Sequence, residues 1–307
     1  MNRPIWSADV DIDAALAGRL IARQFPDLRR ATIEPLGAGW DNAAFLVDGD
    51  LVFRFPRRRV AARLIEREIA ILPSLAPHLP LPIPVPKHVG AAGADYPWAF
   101  AGYRCIAGTT ACAVPLGDDV RALLAAPLAR FLRALHQLDA AEFVAAGLPP
   151  DEIGRLDADK RLQLARERLP TLEAAGIAGA RGAVEWLAAN PPQALDERHR
   201  TIVHGDLYAR HVLLDASMQP AGIIDWGDLH FGDRALDIAI AHLMLPQRAH
   251  SIFRAAYGGV DERTWQAARY RALYHAILEA EYGVREHDEG MRAIGAAALG
   301  LALLSDA

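Results

Sequence analysis

The spacing of apolar residues changes along the chain, and each change marks a new element. Residues 10–25 place Leu16, Leu20, Ile21 and Phe25 at helical intervals, which predicts an amphipathic helix with one buried face. The period then shortens towards two. Residues 32–36 are strand-like and end at Gly37-Ala38-Gly39, and residues 43–47 form a second short strand. Asp48-Gly49-Asp50 supplies a hairpin turn, and residues 51–55 form a third strand stopped by Pro56. Residues 60–72, rich in Arg and Glu, return to a helical pattern. Prolines 80, 82, 84 and 86 then hold the chain extended, and residues 85–89 and 98–106 predict two more strands.

From Asp118 the pattern is helical to about residue 138 and again over 157–187. A β interlude at 201–226 breaks it, after which helix is expected to the end. A composition shift near Gly108 divides the chain into an N-lobe, residues 1–106, with five strands plus helices, and a C-lobe, residues 107–307. A length of 307 residues suits two lobes, each with its own core. The expected class is α+β: a small β-rich lobe followed by a large, mainly helical one.

Composition narrows the partners. Hydrophobic residues make up 52%, so burial is not limiting. A net charge of −5 argues against nucleic acid, whose phosphates demand a basic surface. Two cysteines cannot build a disulfide framework and suit a reducing cytoplasm. The first residues carry no charged leader before a long apolar run, so no signal peptide is expected. The apolar tail, 293–304, is too short to span a bilayer and reads as a packed helix. A cytoplasmic protein without a membrane partner is expected, as a monomer or weak dimer.

The chemistry concentrates in the β interlude. An apolar strand leads into His204-Gly205-Asp206, then His211 and a second apolar strand. A turn, a third apolar strand and Asp225-Trp226-Gly227-Asp228 follow. Strands over 212–214 and 222–224 should pair as a hairpin, bringing Asp206, His211 and Asp225 to one end. A bare His-x-Asp carries little information, since composition alone supplies roughly one by chance. The order of the parts carries the meaning. Phosphoryl transfer needs one carboxylate to orient the attacking hydroxyl and accept its proton, and a second, with a further ligand, to hold Mg²⁺ against the phosphates.

These segments resemble the catalytic and metal loops of the aminoglycoside phosphotransferases, relatives of the protein kinases. The resemblance implies a bilobal kinase-like fold, ATP or GTP with Mg²⁺ as cofactors, and a hydroxylated small molecule as substrate. It makes Asp206 the catalytic base and Asp225 a metal ligand. His204, Asp228, Asp233 and Asp237 become orienting residues, with Asp233 and Asp237 at the start of a helix. His211 stands where most of the family has Asn. In this it is similar to the macrolide kinases and the 2″-aminoglycoside kinases, and an imidazole metal ligand is implied.

The small lobe supplies matching parts. Gly37-Ala38-Gly39-Trp40-Asp41-Asn42 is similar to the nucleotide loop, although Asn42 replaces its third glycine. Its backbone N–H groups would face phosphates. Arg54 on the third strand replaces the usual Lys, with Glu68 on the next helix as its partner and Arg57 as its substitute if Arg54 proves exposed. Tyr103 is implied to lie behind the base, and the backbone from Arg104 to Ile106 to bond its edge.

Substrate choice is less legible. Glu279, Glu281 and Asp288 offer carboxylates for a polycation, and Asp151, Glu152, Asp157 and Asp159 form a second acidic group. Glu279 and Glu281 fall about 200° apart on a helix, so they do not share a face. An aminoglycoside is the first expectation and a macrolide the alternative. A nucleotide-binding module without turnover, and a two-metal phosphoesterase using His204, Asp206, His211 and Asp225, are the readings that compete with a kinase.

Overall fold

The computed structural model describes residues 8–38, 41–193 and 199–304. Its first layer is a five-stranded antiparallel sheet preceded by a helix, α1 (Ala14–Gln24). The strands are β1 (Ile33–Ala38), β2 (Asn42–Val47), β3 (Leu51–Pro56), β4 (Pro86–Gly90) and β5 (Phe100–Arg104). They run in the order β1-β2-β3-β5-β4. Helix α2 (Arg59–Leu75) lies between β3 and β4 in the chain. The predicted strands thus form, and the alternation sets their faces: Phe45, Phe53, Phe55 and Phe100 point into one core with Ala17, Leu20 and Ile21 of α1. Asp13 begins α1 by accepting a hydrogen bond from Leu16 N at 2.7 Å, an ordinary N-cap.

The chain leaves this sheet at Arg104 and enters a second one at β6 (Thr109–Thr110). The large lobe continues with α3 (Asp118–Leu123), α4 (Ala125–His136), α5 (Ala140–Ala145), α6 (Ala158–Ala174) and α7 (Ala180–Ala189). The run expected over 157–187 is therefore two helices. Gly176 and Gly179, with φ of 70° and 81°, end the first and admit the second.

The β interlude holds β7 (Arg200–Val203), β8 (Val212–Leu214) and β9 (Pro220–Ile223). Strand β8 pairs with β9 as expected, Val212 opposite Ile223 and Leu213 opposite Gly222. The interlude extends further than expected. A fourth strand, β10 (His230–Asp233), pairs antiparallel with β7. Helices α8 (Ala235–Ile238), α9 (Ile240–Met244), α10 (His250–Tyr257), α11 (Glu262–Arg285) and α12 (Glu289–Leu303) complete the chain.

One apolar cluster crosses the lobe junction. Ile71, Leu72 and Leu75 of α2 and Ile83 pack with Leu128, Phe131 and Trp226 of the large lobe. A second cluster places the buried face of α12 (Ala298, Leu299, Ala302) against Leu273, Ile277 and Ala280 of α11. Among the described residues, no helix is long and apolar enough to cross a membrane.

Candidate active site

The hairpin β8–β9 brings three predicted residues together. Asp206 lies on the loop before β8, His211 immediately precedes that strand, and Asp225 follows β9. His211 Nδ1 is 2.7 Å from the Asp206 carbonyl oxygen and must donate to it. With the ring neutral, Nε2 then presents a lone pair, and it faces Asp225 Oδ2 at 3.4 Å. Two lone-pair atoms converging on one point suit a cation.

A divalent metal fits this donor set: one carboxylate oxygen and one imidazole nitrogen, with nucleotide phosphates to supply the rest. Among the described residues no group of three or more His, Cys, Asp and Glu forms a closed metal cage.

Asp225 is held in a left-handed backbone conformation, φ 64°, unusual for a residue with a Cβ and typical of positions where function fixes the chain. Partial burial pushes its carboxyl up, but Arg54 and the neighbouring histidines outweigh this and hold it down to about 2. It is an anion at any working pH.

Arg54 reaches it from the small lobe. Arg54 Nη2 is 3.1 Å from Asp225 Oδ1, and Nη1 is 2.9 Å from both oxygens of Glu68 on α2. Glu68 is fully buried, and the Tyr103 hydroxyl donates to it at 2.9 Å. Burial raises the Glu68 carboxyl, and Arg54 works against that push. Arg54 is 16% exposed and engaged, so Arg57 is not needed in its place. Trp226 Nε1 donates to Ile223 O at 3.0 Å, fixing the turn that carries Asp225.

The His204–Asp206 loop is shaped from beneath. Asp237 on α8 accepts from His204 N and Gly205 N, each at 2.8 Å, and its carboxylate meets His136 Nε2 at 3.1 Å. Burial opposes ionisation of Asp237, but these donors prevail and lower its carboxyl. His204 is buried. Its Nε2 lies 3.0 Å from Ile224 O, and its Nδ1 accepts from Asp206 N at 3.3 Å. The ring, depressed by burial, stays neutral and ties the Asp206 loop to the strand that leads to Asp225. Gly205, between the two, has φ 83°, and a Cβ there would lie 2.5 Å from Asp228 O and 2.7 Å from the His230 ring. Asp233 closes β10 and caps the following turn through Ala235 N at 2.8 Å. Asp228 pairs with Arg155, which also holds Asp151 at 2.9 Å.

Asp206 is 28% exposed. Arg271 Nη2 lies 3.3 Å from its Oδ1, and His275 Nδ1 lies 3.6 Å from the same oxygen. Burial raises its carboxyl above the ordinary value, the direction that improves a base.

The remaining predicted residues are placed as follows. Gly37 lies in the β1–β2 hairpin opposite Ala44, and Gly39 is outside the described residues. Asp41 pairs with Arg58, with Nε at 3.0 Å. Asn42 opens β2, its Oδ1 buried without a hydrogen-bond partner. The Arg104 side chain is exposed and pairs with Asp50 at 3.4 Å. Ile106 is half-buried and packs over Gly222. The three acids offered for a polycation do not stand together. Glu281 pairs with Arg168 and Arg285, Asp288 caps α12 through Met291 N, and Glu279 is buried beside His275. In the second acidic group, Asp151 binds Arg155 and Asp157 caps α6 through Lys160 N at 3.0 Å.

The motifs do not single out Arg271, His275 or Arg155. A signal for two of them was present: Arg271, His275 and Glu279 repeat every four residues within an otherwise apolar stretch of helix.

A small antiparallel sheet over a helical lobe, with two aspartates brought to one end of a hairpin and an arginine of the sheet reaching one of them, is the build of a kinase-like phosphotransferase. The chain belongs to the phosphotransferase enzyme family, whose pattern matches residues 32–272. Solved structures share the fold. The GDP complex of wild-type aminoglycoside 2'-phosphotransferase-IIIa is 24% identical, covering 96% of this chain and 100% of that one, with a TM-score of 0.69. The GDP and kanamycin complex of APH(2")-IIia is 24% identical, covering 95% and 99%, at 0.68. Macrolide 2'-phosphotransferase type I is 21% identical, covering 95% and 98%, at 0.61.

Proposed function

We propose that this phosphotransferase moves the γ-phosphoryl group of ATP or GTP onto a hydroxyl of a small antibiotic. The observation that carries the reading is the convergence of Asp206, His211 and Asp225 on one end of the β8–β9 hairpin, with Arg54 closing over Asp225 from the small lobe.

In the proposed reaction Asp206 orients the acceptor hydroxyl and takes its proton. The acceptor oxygen forms a bond to Pγ as the bond from Pγ to the bridging oxygen breaks, and the electron pair leaves with the nucleoside diphosphate. Arg54, kept charged and aimed by Glu68, faces the phosphates. Asp225 and His211 would hold magnesium, which when bound neutralises phosphate charge. Gly37, Asp41 and Asn42 border the nucleotide, Tyr103 lies behind the base with its hydroxyl on Glu68, and the backbone of Arg104 to Ile106 meets the base edge.

For the acceptor we propose an aminoglycoside, by kinship with enzymes whose structures hold kanamycin. A macrolide is the second reading. It is favoured by the commitment of Glu281, Asp288, Asp151 and Asp157 to contacts within the protein, and by the guanidinium of Arg271 beside Asp206. A polycation gains least from such surroundings.

The test is release of ADP or GDP by the purified protein with aminoglycosides, macrolides and simple amino alcohols, each with ATP and with GTP. Turnover that needs Mg²⁺ and is lost in Asp206→Ala is the expected result. Full turnover in that variant would end the reading. Expression in a susceptible bacterium should raise the tolerated dose of whichever antibiotic is phosphorylated.

A further inference from the structure

Helix α11 carries a polar stripe through the core. Arg271, His275 and Glu279 are all buried and recur every four residues, which places them on one face. That face looks onto the catalytic loop. Arg271 Nη2 and His275 Nδ1 approach the same oxygen, Asp206 Oδ1, at 3.3 Å and 3.6 Å. On the far side of the ring, His275 Nε2 is 3.5 Å from Glu279 Oε1. Tyr208 packs edge-on against the imidazole, with centroids 4.8 Å apart.

Neither nitrogen of His275 and neither oxygen of Glu279 has a hydrogen-bond partner. Buried polar groups in that condition are destabilising, and where a fold retains them they call for an explanation. The gaps are a few tenths of an ångström longer than hydrogen bonds, as is common for catalytic contacts before a substrate is bound.

The charges agree on one order of donors. Burial and the nearby Arg271 push the His275 imidazole down to about 3, so the ring is neutral. Burial pushes the Glu279 carboxyl up to about 8, against the pull of Arg271 and Arg210, so it keeps its proton near neutrality. A neutral ring facing a carboxylate on one side and a carboxylic acid on the other donates to the first and accepts from the second.

We propose that His275 and Glu279 are positioning residues for Asp206, forming a line from Glu279 O–H to His275 Nε2 and from His275 Nδ1–H to Asp206 Oδ1 that closes when the acceptor binds. With Arg271, the line occupies Oδ1 and leaves Oδ2 to take the acceptor's proton. No proton travels along it. The inference rests on the role proposed above for Asp206.

Steady-state kinetics test it. Hydrolysis of ATP or GTP, with water as the acceptor, gives a readout independent of acceptor identity, and kanamycin and a macrolide serve as the other probes. His275→Phe keeps the ring packed against Tyr208 and removes the N–H; kcat should fall about 10- to 100-fold with the nucleotide KM within about 2-fold. Glu279→Leu should fall similarly. Glu279→Gln, whose amide can still donate to Nε2, should recover most of that loss. The double variant His275→Phe/Glu279→Leu should be no worse than either single one, as members of one line are not additive. Nucleotide binding, measured separately, shows which variants are folded, and His275→Asn replaces the Phe variant if that one is not.

Wild-type kcat in His275→Phe, multiplicative losses in the double variant, or an effect confined to the KM for kanamycin would overturn the proposal. Asp206→Ala tells the two failures apart. If it is inactive while His275→Phe is normal, only the positioning line falls.

Discussion

The two sides of the β8–β9 hairpin solve opposite problems. On the small-lobe side, Arg54, Glu68, Tyr103 and Asp225 are joined by contacts of 2.9–3.1 Å. On the α11 side, His275 and Glu279 are buried and have no hydrogen-bond partner. A completed network fixes its geometry before any ligand arrives, whereas an incomplete one settles only when something draws it closed. The contrast teaches that one half of this site is rigid in advance, as electrostatic preorganisation requires, and the other is left to be finished.

The strongest way to break the comparison is to remove the residue that joins its halves. Asp225→Ala takes away the partner of Arg54 and the carboxylate facing His211, and kcat/KM for the nucleotide should fall about 10³-fold. Measuring it against Mg²⁺ concentration checks the point, for excess metal should not restore it.

Next in size is Glu68→Ala. It leaves a largely buried guanidinium without its main counter-ion, a loss of about 3 kcal/mol, seen as a drop in Tm of about 5 °C. Arg54→Lys should be milder in stability yet costly in activity. A single ammonium cannot bridge Glu68 and Asp225 as the guanidinium does, and kcat/KM for the nucleotide should fall about 10-fold.

The unfinished side makes a prediction in pH. Glu279 has a folded value of about 8, above the ordinary carboxyl value of about 4.3. Between those two values the folded protein holds a proton that the unfolded chain has released. Stability therefore declines as pH rises from about 4 to about 8 and levels off above. Glu279→Gln removes this slope. Its Tm should match the wild type near pH 4 and exceed it at pH 8, read by calorimetry across that range. The smallest effect belongs to Arg104→Ala. Its pair with Asp50 is open to solvent on both sides, and removal should change stability by less than about 0.5 kcal/mol.

Residues that act with chain neighbours were the legible ones. The sheet of the small lobe could be read because alternation, Asp48-Gly49-Asp50 and Pro56 mark each strand end. Asp206, His211 and Asp225 could be read because a short hairpin must bring them together. Strand β10 could not, since His-Phe-Gly-Asp has no apolar run and becomes a strand only by pairing with β7. Asp237 was expected to help start a helix, yet its partners are His136, 101 residues away, and the backbone of the His204 loop. The acids of α11 pose the same difficulty. Charges at helical spacing usually indicate a wet surface, and nothing local tells Glu279 that it will be buried while Glu286 is exposed. The fold decides that, by packing α11 between α6 and α12.

Consider what position 205 permits. Offer it every amino acid in a library and select for activity: glycine alone should return, because the left-handed turn and the carbonyl of Asp228 leave no room for a side-chain carbon. Leu207, two residues on and packed among other apolar side chains, should tolerate several aliphatic replacements. A tolerance map of this loop would thus record the shape of the backbone at one letter and little more than greasiness at the other.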